Sequence, residues 1–228
     1  EGVDFGRRFP IAIARLRGGD VDAVSRQLNA AKDAFVGKYT SQGGQFSIDV
    51  TREGADVQVK VTGASAHGSR PEEGVNPLPR LALFLQQSGV ALVANGYAQA
   101  VRYIADLYGV DYLGRTLGLA YSDDFMGPLT LSPNLIREKD GKVDVLVNVR
   151  MPRGNTPEAL SQATTERIKA WGVQTGVTVE VEHKQGNWMA RDPKGAWLAT
   201  LLNTFGDTTG LPAQPVPTAG STTAKLMP

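Results

Sequence analysis

The stretch VTGASAHGSRPEEGVNPLPRLALFL, residues 61–85, decides the fold, because it joins a predicted strand to a predicted helix through a loop that contains a histidine. Apolar and polar residues alternate up to Val61, which predicts a strand. Asn76 followed by Pro77 is typical of a helix cap with proline at the first helical position. His67 is one of only 2 histidines in the chain. The loop around it is therefore the first candidate for a functional site.

Upstream of this stretch, the apolar pattern predicts a strand, a helix and a hairpin. Residues 11–16 alternate as in a strand, and residues 21–35 have helical spacing after Asp20, a suitable cap. Residues 46–50 and 57–61 alternate on either side of the turn sequence REGAD. The order strand, helix, strand, strand, helix follows for the first half of the chain.

The downstream half repeats this mixture of helices and strands. The pattern predicts helices at 97–108 and 156–171, and strands at 129–136, 143–149 and 177–181. The turn sequence KDG separates the first two of these strands. We therefore predict an α+β fold of two ferredoxin-like units, with helices on one face of a mostly antiparallel sheet.

The two units are expected at about residues 10–95 and 96–185 of the chain, and residues 186–228 differ from both. In this last segment, Asp192-Pro193 predicts the start of a helix. Its apolar side would carry Trp197, Leu201 and Phe205. One helix followed by a proline-rich loop cannot form a core alone, so the segment is expected to pack on other parts of a protein.

Composition excludes several classes of function. Lys plus Arg (24) nearly balance Asp plus Glu (23), and aromatic residues make up only 7%, which argues against an RNA-binding sheet. The absence of cysteine excludes disulfides, thiolate zinc sites and a cysteine nucleophile. No apolar run approaches the ~18 residues that a membrane helix needs. We expect neither a nucleic acid nor a membrane as partner.

Motifs with an independent chemical meaning are lacking in the sequence. It contains no P-loop, no G-x-G-x-x-G and no G-x-S-x-G elbow. His183, in EVEHKQG at the end of a predicted strand, is expected to be a surface residue. The residues alone predict an α+β domain with one unusually placed histidine, and a His67 that merely bonds to backbone is an open alternative.

A family resemblance adds to this interpretation. The stretch 61–85 resembles the lid-domain signature of the zinc peptidase and deacylase family that includes succinyl-diaminopimelate desuccinylase, glutamate carboxypeptidase, carnosinase and the dipeptidase V type. The matching residues are Gly63, Ser65, Ala66, His67, Pro71, Gly74 and Asn76. VLVNVRMPRG resembles a later lid strand of dipeptidases, and TAGSTTAKLMP resembles a glycine-rich loop of their catalytic domain.

The resemblance implies that residues 1–185 form a lid of two units and that 186–228 are a segment of a catalytic domain, within a larger dipeptidase. It implies that His67 stabilises the oxyanion and that Arg150 binds the substrate carboxylate. The other implied substrate-binding residues are Asn134, Gly220, Ser221 and Thr222. Asn134 is displaced from the position that the family pattern favours, since serine occupies position 132. The family uses two zinc ions, whose ligands are not in this chain.

Two alternatives remain open at this stage. The first is deacylation of an N-acyl amino acid by an enzyme of the same superfamily, although short-lid enzymes of that kind leave residues 96–180 unexplained. The second is a non-catalytic binding or dimerisation module. The doubled lid favours the dipeptidase V type and therefore a dipeptide substrate. It also favours a monomer, because each of its two units would cover the free sheet edge of the other.

Overall fold

The computed structural model describes residues 10–67, 70–190 and 192–217, and it combines helices with antiparallel sheets. This combination confirms the predicted α+β class. The helices are α1 (Val21–Gly43), α2 (Pro77–Gln87), α3 (Gly96–Leu107), α4 (Pro157–Thr175) and α5 (Ala196–Thr209). The strands are β1 (Ile11–Arg17), β2 (Ser47–Glu53), β3 (Asp56–Thr62), β4 (Ser122–Asp123), β5 (Gly127–Pro128), β6 (Thr130–Lys139) and β7 (Lys142–Arg150).

The first sheet has the order β1-β3-β2, with both neighbours antiparallel to β3. The predicted hairpin joins β2 to β3, so the sequence pattern located this turn correctly. Val57, Val59 and Val61 of the central strand are essentially inaccessible to solvent. Their alternation with polar residues therefore orients one face of the sheet toward the core.

Helices α1 and α2 cover this face, and α3 packs against α2 to complete the first core. Asp20 caps α1 by accepting a hydrogen bond from the Ala23 amide at 3.0 Å, as predicted. Phe35 of α1 packs edge-on against Phe84 of α2, with ring centroids 5.3 Å apart. Ile104 of α3 is also fully buried in this core. The first core therefore extends into a helix that follows residue 95.

The second sheet is the hairpin β6-β7, whose register is interrupted by a bulge between Pro133 and Leu135. The turn predicted at KDG joins the two strands, and Asp140 adopts a positive φ of 52° there. Helix α4 begins after Thr156, which caps the Ala159 amide at 3.1 Å. A second core forms around buried Leu129, Leu131, Tyr108, Leu117, Met151 and Leu160.

Two elements differ from the sequence-based prediction. Residues 177–181 alternate as expected but have no ladder partner in the described ranges, so they do not form a strand there. Helix α5 begins at Ala196 rather than at Asp192, because the Asp192 side chain accepts from the Lys194 amide and forms a turn ahead of the helix.

The ferredoxin-like arrangement stays a prediction. No described helix has the length and apolarity to cross a membrane.

Candidate substrate-binding site

The loop that carries His67 is closed at its base by a pair of backbone hydrogen bonds. Ala64 and Val75 exchange these bonds, with N···O distances of 3.1 and 2.9 Å, so the chain leaves β3 and returns toward α2 at the same place. Inside the loop, the Arg70 amide donates to the His67 carbonyl at 2.9 Å. His67 itself is exposed. The fold thus presents an imidazole to solvent on a loop with fixed ends.

Two glycines of the motif make this closure possible. A Cβ on Gly63 would lie 2.1 Å from the Val75 carbonyl oxygen, and a Cβ on Gly74 would lie 2.5 Å from the Ala66 Cβ. Both distances are far shorter than any real carbon contact. Glycine is therefore required at both positions by close approach of backbone rather than by an unusual φ angle.

Arg70 and Glu73 form an ion pair on the outside of the loop. The Arg70 Nη1 lies 2.7 Å from the Glu73 Oε1, three residues further along the chain. The hydrogen bond and the charge of Glu73 raise the pKa of Arg70. Both side chains are more than half exposed, so the ion pair adds little to the stability of the fold. Its effect is to fix where the two charges lie on the loop.

Asn76 ties this loop to the second sheet. Its Oδ1 accepts from the Leu78 amide at 3.1 Å, which is the predicted cap of α2. Its Nδ2 donates to the Ser132 Oγ at 3.1 Å and to the Pro133 carbonyl at 2.7 Å, both on β6. The sequence predicted the cap alone. The contacts to β6 could not be predicted, because they depend on how the two halves pack.

Arg80 lies one turn into α2 and binds the backbone of Asn76. It is only 5% exposed, its Nη1 donates to the Asn76 carbonyl at 3.1 Å, and its guanidinium lies over the Phe46 ring at 5.2 Å. A buried arginine on the apolar face of a helix was not predicted. Stacking on an aromatic ring explains how the charge is accommodated.

Arg150 lies at the end of β7, and a neighbouring residue of the same strand holds its side chain in place. The Arg150 Nε donates to the Asn148 Oδ1 at 3.0 Å, and both residues project from the same face of the strand because they are two positions apart. Asn148 is the register partner of Ser132, and Arg150 that of Thr130. Since Asn76 binds Ser132, the base of the His67 loop and Arg150 lie toward the same end of the β6-β7 hairpin.

Of the four other predicted binding residues, the structure describes only one. Asn134 lies in the bulge of β6, where its Oδ1 accepts from the Ser132 Oγ at 3.1 Å, so it joins the same polar chain as Asn76. Gly220, Ser221 and Thr222 lie outside the described residues. The Asn76–Ser132–Asn134 chain is the connection that sequence reasoning missed.

A cleft of about 1670 Å³ opens beside β7, and Arg70, Asn148 and Arg150 line part of it. His183 also lines the cleft. His183, which was predicted to be a surface residue, is half-buried, and both of its ring nitrogens are buried without a hydrogen-bond partner among the described residues. Burial accordingly lowers the pKa of His183.

Within the described ranges, no three His, Asp or Glu side chains come close enough together to hold a metal ion. These residues therefore do not fit a zinc centre. What the site can offer is an exposed imidazole at His67 and a half-buried guanidinium at Arg150.

Comparison with known proteins shows sequence similarity to dipeptidases. The chain is 29% identical over 214 residues to "Beta-Ala-Xaa dipeptidase" of Lactobacillus delbrueckii subsp. lactis, a match that covers 93% of this chain and 42% of that protein. It is 29% identical over 126 residues to "Putative dipeptidase YtjP" of Bacillus subtilis (strain 168), which covers 55% and 25%. No protein-family model matches the chain.

These matches support a relationship to dipeptidases, and hence to hydrolases, in line with the predicted resemblance. The chain spans less than half the length of each of the two relatives. Neither similarity assigns a role to an individual residue.

Proposed function

We propose that this chain is the lid and substrate-binding portion of a dipeptidase. The observation that carries the proposal is that the base of the His67 loop and Arg150 lie toward the same end of the β6-β7 hairpin, where Asn76 bonds to Ser132 and Arg150 to Asn148. Similarity to two proteins named as dipeptidases supports the reaction class. The metal ligands implied by the family resemblance would come from outside this chain.

His67 is proposed to donate a hydrogen bond to the oxygen of the scissile carbonyl as negative charge develops there. Its exposure on a loop with fixed ends suits a donor that must meet a substrate held by another part of the enzyme. A positioned donor of this kind lowers the barrier by roughly 2.7–4 kcal/mol. A lid also excludes water when it closes over the substrate.

Arg150 is proposed to bind the terminal carboxylate of the dipeptide. A guanidinium matches a carboxylate with two parallel hydrogen bonds, and the contact with Asn148 fixes its orientation in advance. Asn134, Gly220, Ser221 and Thr222 would add polar contacts. By the name of one relative, dipeptides with an N-terminal β-alanine are the first substrates to test.

The test is His67→Ala in the longer enzyme that carries this chain, assayed on a β-alanyl dipeptide and on an N-acetyl amino acid. We expect kcat to fall about 10²–10³-fold with little change in KM, since an oxyanion donor acts mainly in the transition state. His183→Ala is the matched control and should keep kcat. A normal kcat with a lowered melting temperature would contradict the role of His67, and activity confined to the acyl substrate would favour a deacylase.

A further inference from the structure

We propose that Asn148 is a further substrate-binding residue, whose side-chain amide donates a hydrogen bond to the same carboxylate that Arg150 binds. The inference rests on the proposed function and gives Asn148 a second role, beyond its contact with Arg150. It makes the end of β7 a site that offers the substrate hydrogen-bond donors, and so one that selects a terminal carboxylate against a terminal amide.

The orientation of the Asn148 amide follows from its contact with Arg150. The Arg150 Nε can only donate, so the Asn148 atom that lies 3.0 Å away must be the oxygen, Oδ1. The nitrogen of the same amide, Nδ2, is therefore turned away from the Nε. No acceptor for this nitrogen occurs among the described residues. Its two N–H groups can thus donate to a ligand.

Asn148 and Arg150 reach the same space. They are two positions apart on β7, project from one face of the strand, and both line the cleft beside it. Both residues are half-buried, so a ligand in the cleft has access to them. Because Nδ2 shares its carbon with the oxygen that touches the Nε, a carboxylate held by the guanidinium lies within reach of Nδ2.

A second amide of the hairpin has its polarity set in a similar way. The Asn76 Nδ2 donates to the Ser132 Oγ, so the hydroxyl keeps its own hydrogen for the Oδ1 of Asn134. Ser132 lies opposite Asn148 in the register, so the two side chains share one face of the hairpin. Both amides therefore have an oxygen that is already bonded and a nitrogen that no acceptor in the described part of the chain takes.

The charge of this end of the hairpin favours an anion. Residues 129–135 and 146–152 contain no Asp or Glu, and Arg150 is the only ionisable side chain in the two ranges. Hydrogen bonds to a carboxylate from such donors are roughly twice as strong as bonds between neutral groups. A terminal amide would instead place its own N–H groups against those of Asn148 and leave a donor unsatisfied. The arrangement therefore selects the carboxylate.

The test is Asn148→Asp in the longer enzyme, assayed on a β-alanyl dipeptide and on the same dipeptide with a C-terminal amide. Aspartate keeps the oxygen that accepts from Arg150, but it replaces the N–H donors with a second oxygen. We expect KM for the dipeptide to rise about tenfold or more at nearly constant kcat. We expect kcat/KM for the amide to rise, because the new oxygen accepts from the terminal NH2. A residue that only orients Arg150 would not give this gain.

Asn155→Asp is the matched control. It adds the same charge five residues beyond Arg150, and Asn155 does not line the cleft. Both substrates should keep their KM. Amide turnover that does not improve in Asn148→Asp would overturn the second role and leave that of Arg150 intact. An unsubstituted enzyme that hydrolyses no dipeptide would instead overturn the proposed function, and this inference with it.

If Asn148→Asp does not fold, nuclear magnetic resonance on the unsubstituted 228-residue chain decides. Acetate is the probe, since it carries the same carboxylate as a dipeptide terminus. Its addition should shift the side-chain amide signals of Asn148. Those of Asn155, whose Oδ1 likewise accepts from a neighbouring donor, should stay in place. Acetate that moves neither set of signals, or both equally, would overturn the proposal.

Discussion

The Asn76 side chain donates to the Ser132 hydroxyl at 3.1 Å, and this bond joins the loop of His67 to the strand beside Arg150. Ser132 is only 3% exposed and Asn76 is half-buried, so water has little access to this junction. A buried polar pair is costly to break, because each partner loses a bond that water cannot replace. The two proposed substrate-binding elements are thus coupled through one amide.

Asn76→Ala should destabilise the chain by roughly 2–4 kcal/mol, since it removes a helix cap and leaves the Ser132 hydroxyl and the Pro133 carbonyl with a lost bond. Asn95→Ala is the matched control, because Asn95 caps α3 at 2.8 Å and no contact to another sheet is described for its side chain. It should cost only ~1 kcal/mol. Urea unfolding measures both. Equal losses would mean that the bonds to β6 contribute nothing.

Gly74→Ala should destabilise the chain by about 1–3 kcal/mol, the usual cost of forcing a methyl group into a packed site. The new carbon would lie 2.5 Å from the Ala66 Cβ and 2.8 Å from the Ala64 carbonyl oxygen, so the loop base must open. Gly186→Ala is the control, as nothing lies within 4 Å of a Cβ there. Thermal melting compares the two. A neutral Gly74→Ala would show that the loop base is loose.

Patterns along the chain predicted most elements, because each depends on neighbours in sequence. The alternation that ends at Val61, the caps at Asp20 and Asn76, and the helix start near Thr156 were all found where expected. Their physical causes are local: side-chain periodicity and a hydroxyl or amide next to free backbone donors.

The missed features depend on packing between distant parts of the chain. The bonds from Asn76 to β6 join residues more than fifty positions apart, and the burial of Arg80 requires the Phe46 ring of another element. Residues 177–181 carry a strand pattern, yet a strand also needs a partner edge, which periodicity does not supply. The burial of the His183 ring nitrogens also depends on packing between distant parts of the chain, which a local pattern does not show.

Burial of His183 makes stability depend on pH. Its pKa is lowered in the folded chain, so below the ordinary value of 6.5 the unfolded chain binds the proton more tightly, and stability should fall as pH falls through that range. His183→Gln should flatten this dependence between pH 8 and pH 5.5, measured by urea unfolding. An unchanged slope in His183→Gln would contradict the burial.

Zinc should not bind this chain stoichiometrically at micromolar concentration. A zinc centre needs three or four converging ligands, and the described residues bring no such group together. Calorimetric titration of the chain with zinc, repeated on His67→Ala, tests this expectation. Tight binding at one ion per chain would show that residues outside the described ranges complete a site, and it would overturn the proposal that the ligands come from elsewhere.

Arg150→Lys in the longer enzyme should raise KM about tenfold, equivalent to ~1.4 kcal/mol, while kcat stays near normal. Lysine keeps the charge but cannot form two parallel bonds to a carboxylate, and it loses the Nε that binds Asn148. Arg153→Lys is the matched control, because Arg153 pairs with Asp123 at 2.8 Å and does not line the cleft. Its KM should be unaffected. A fall in kcat at constant KM would instead place Arg150 against the reacting atoms, and equal behaviour of both variants would leave it an ordinary strand arginine.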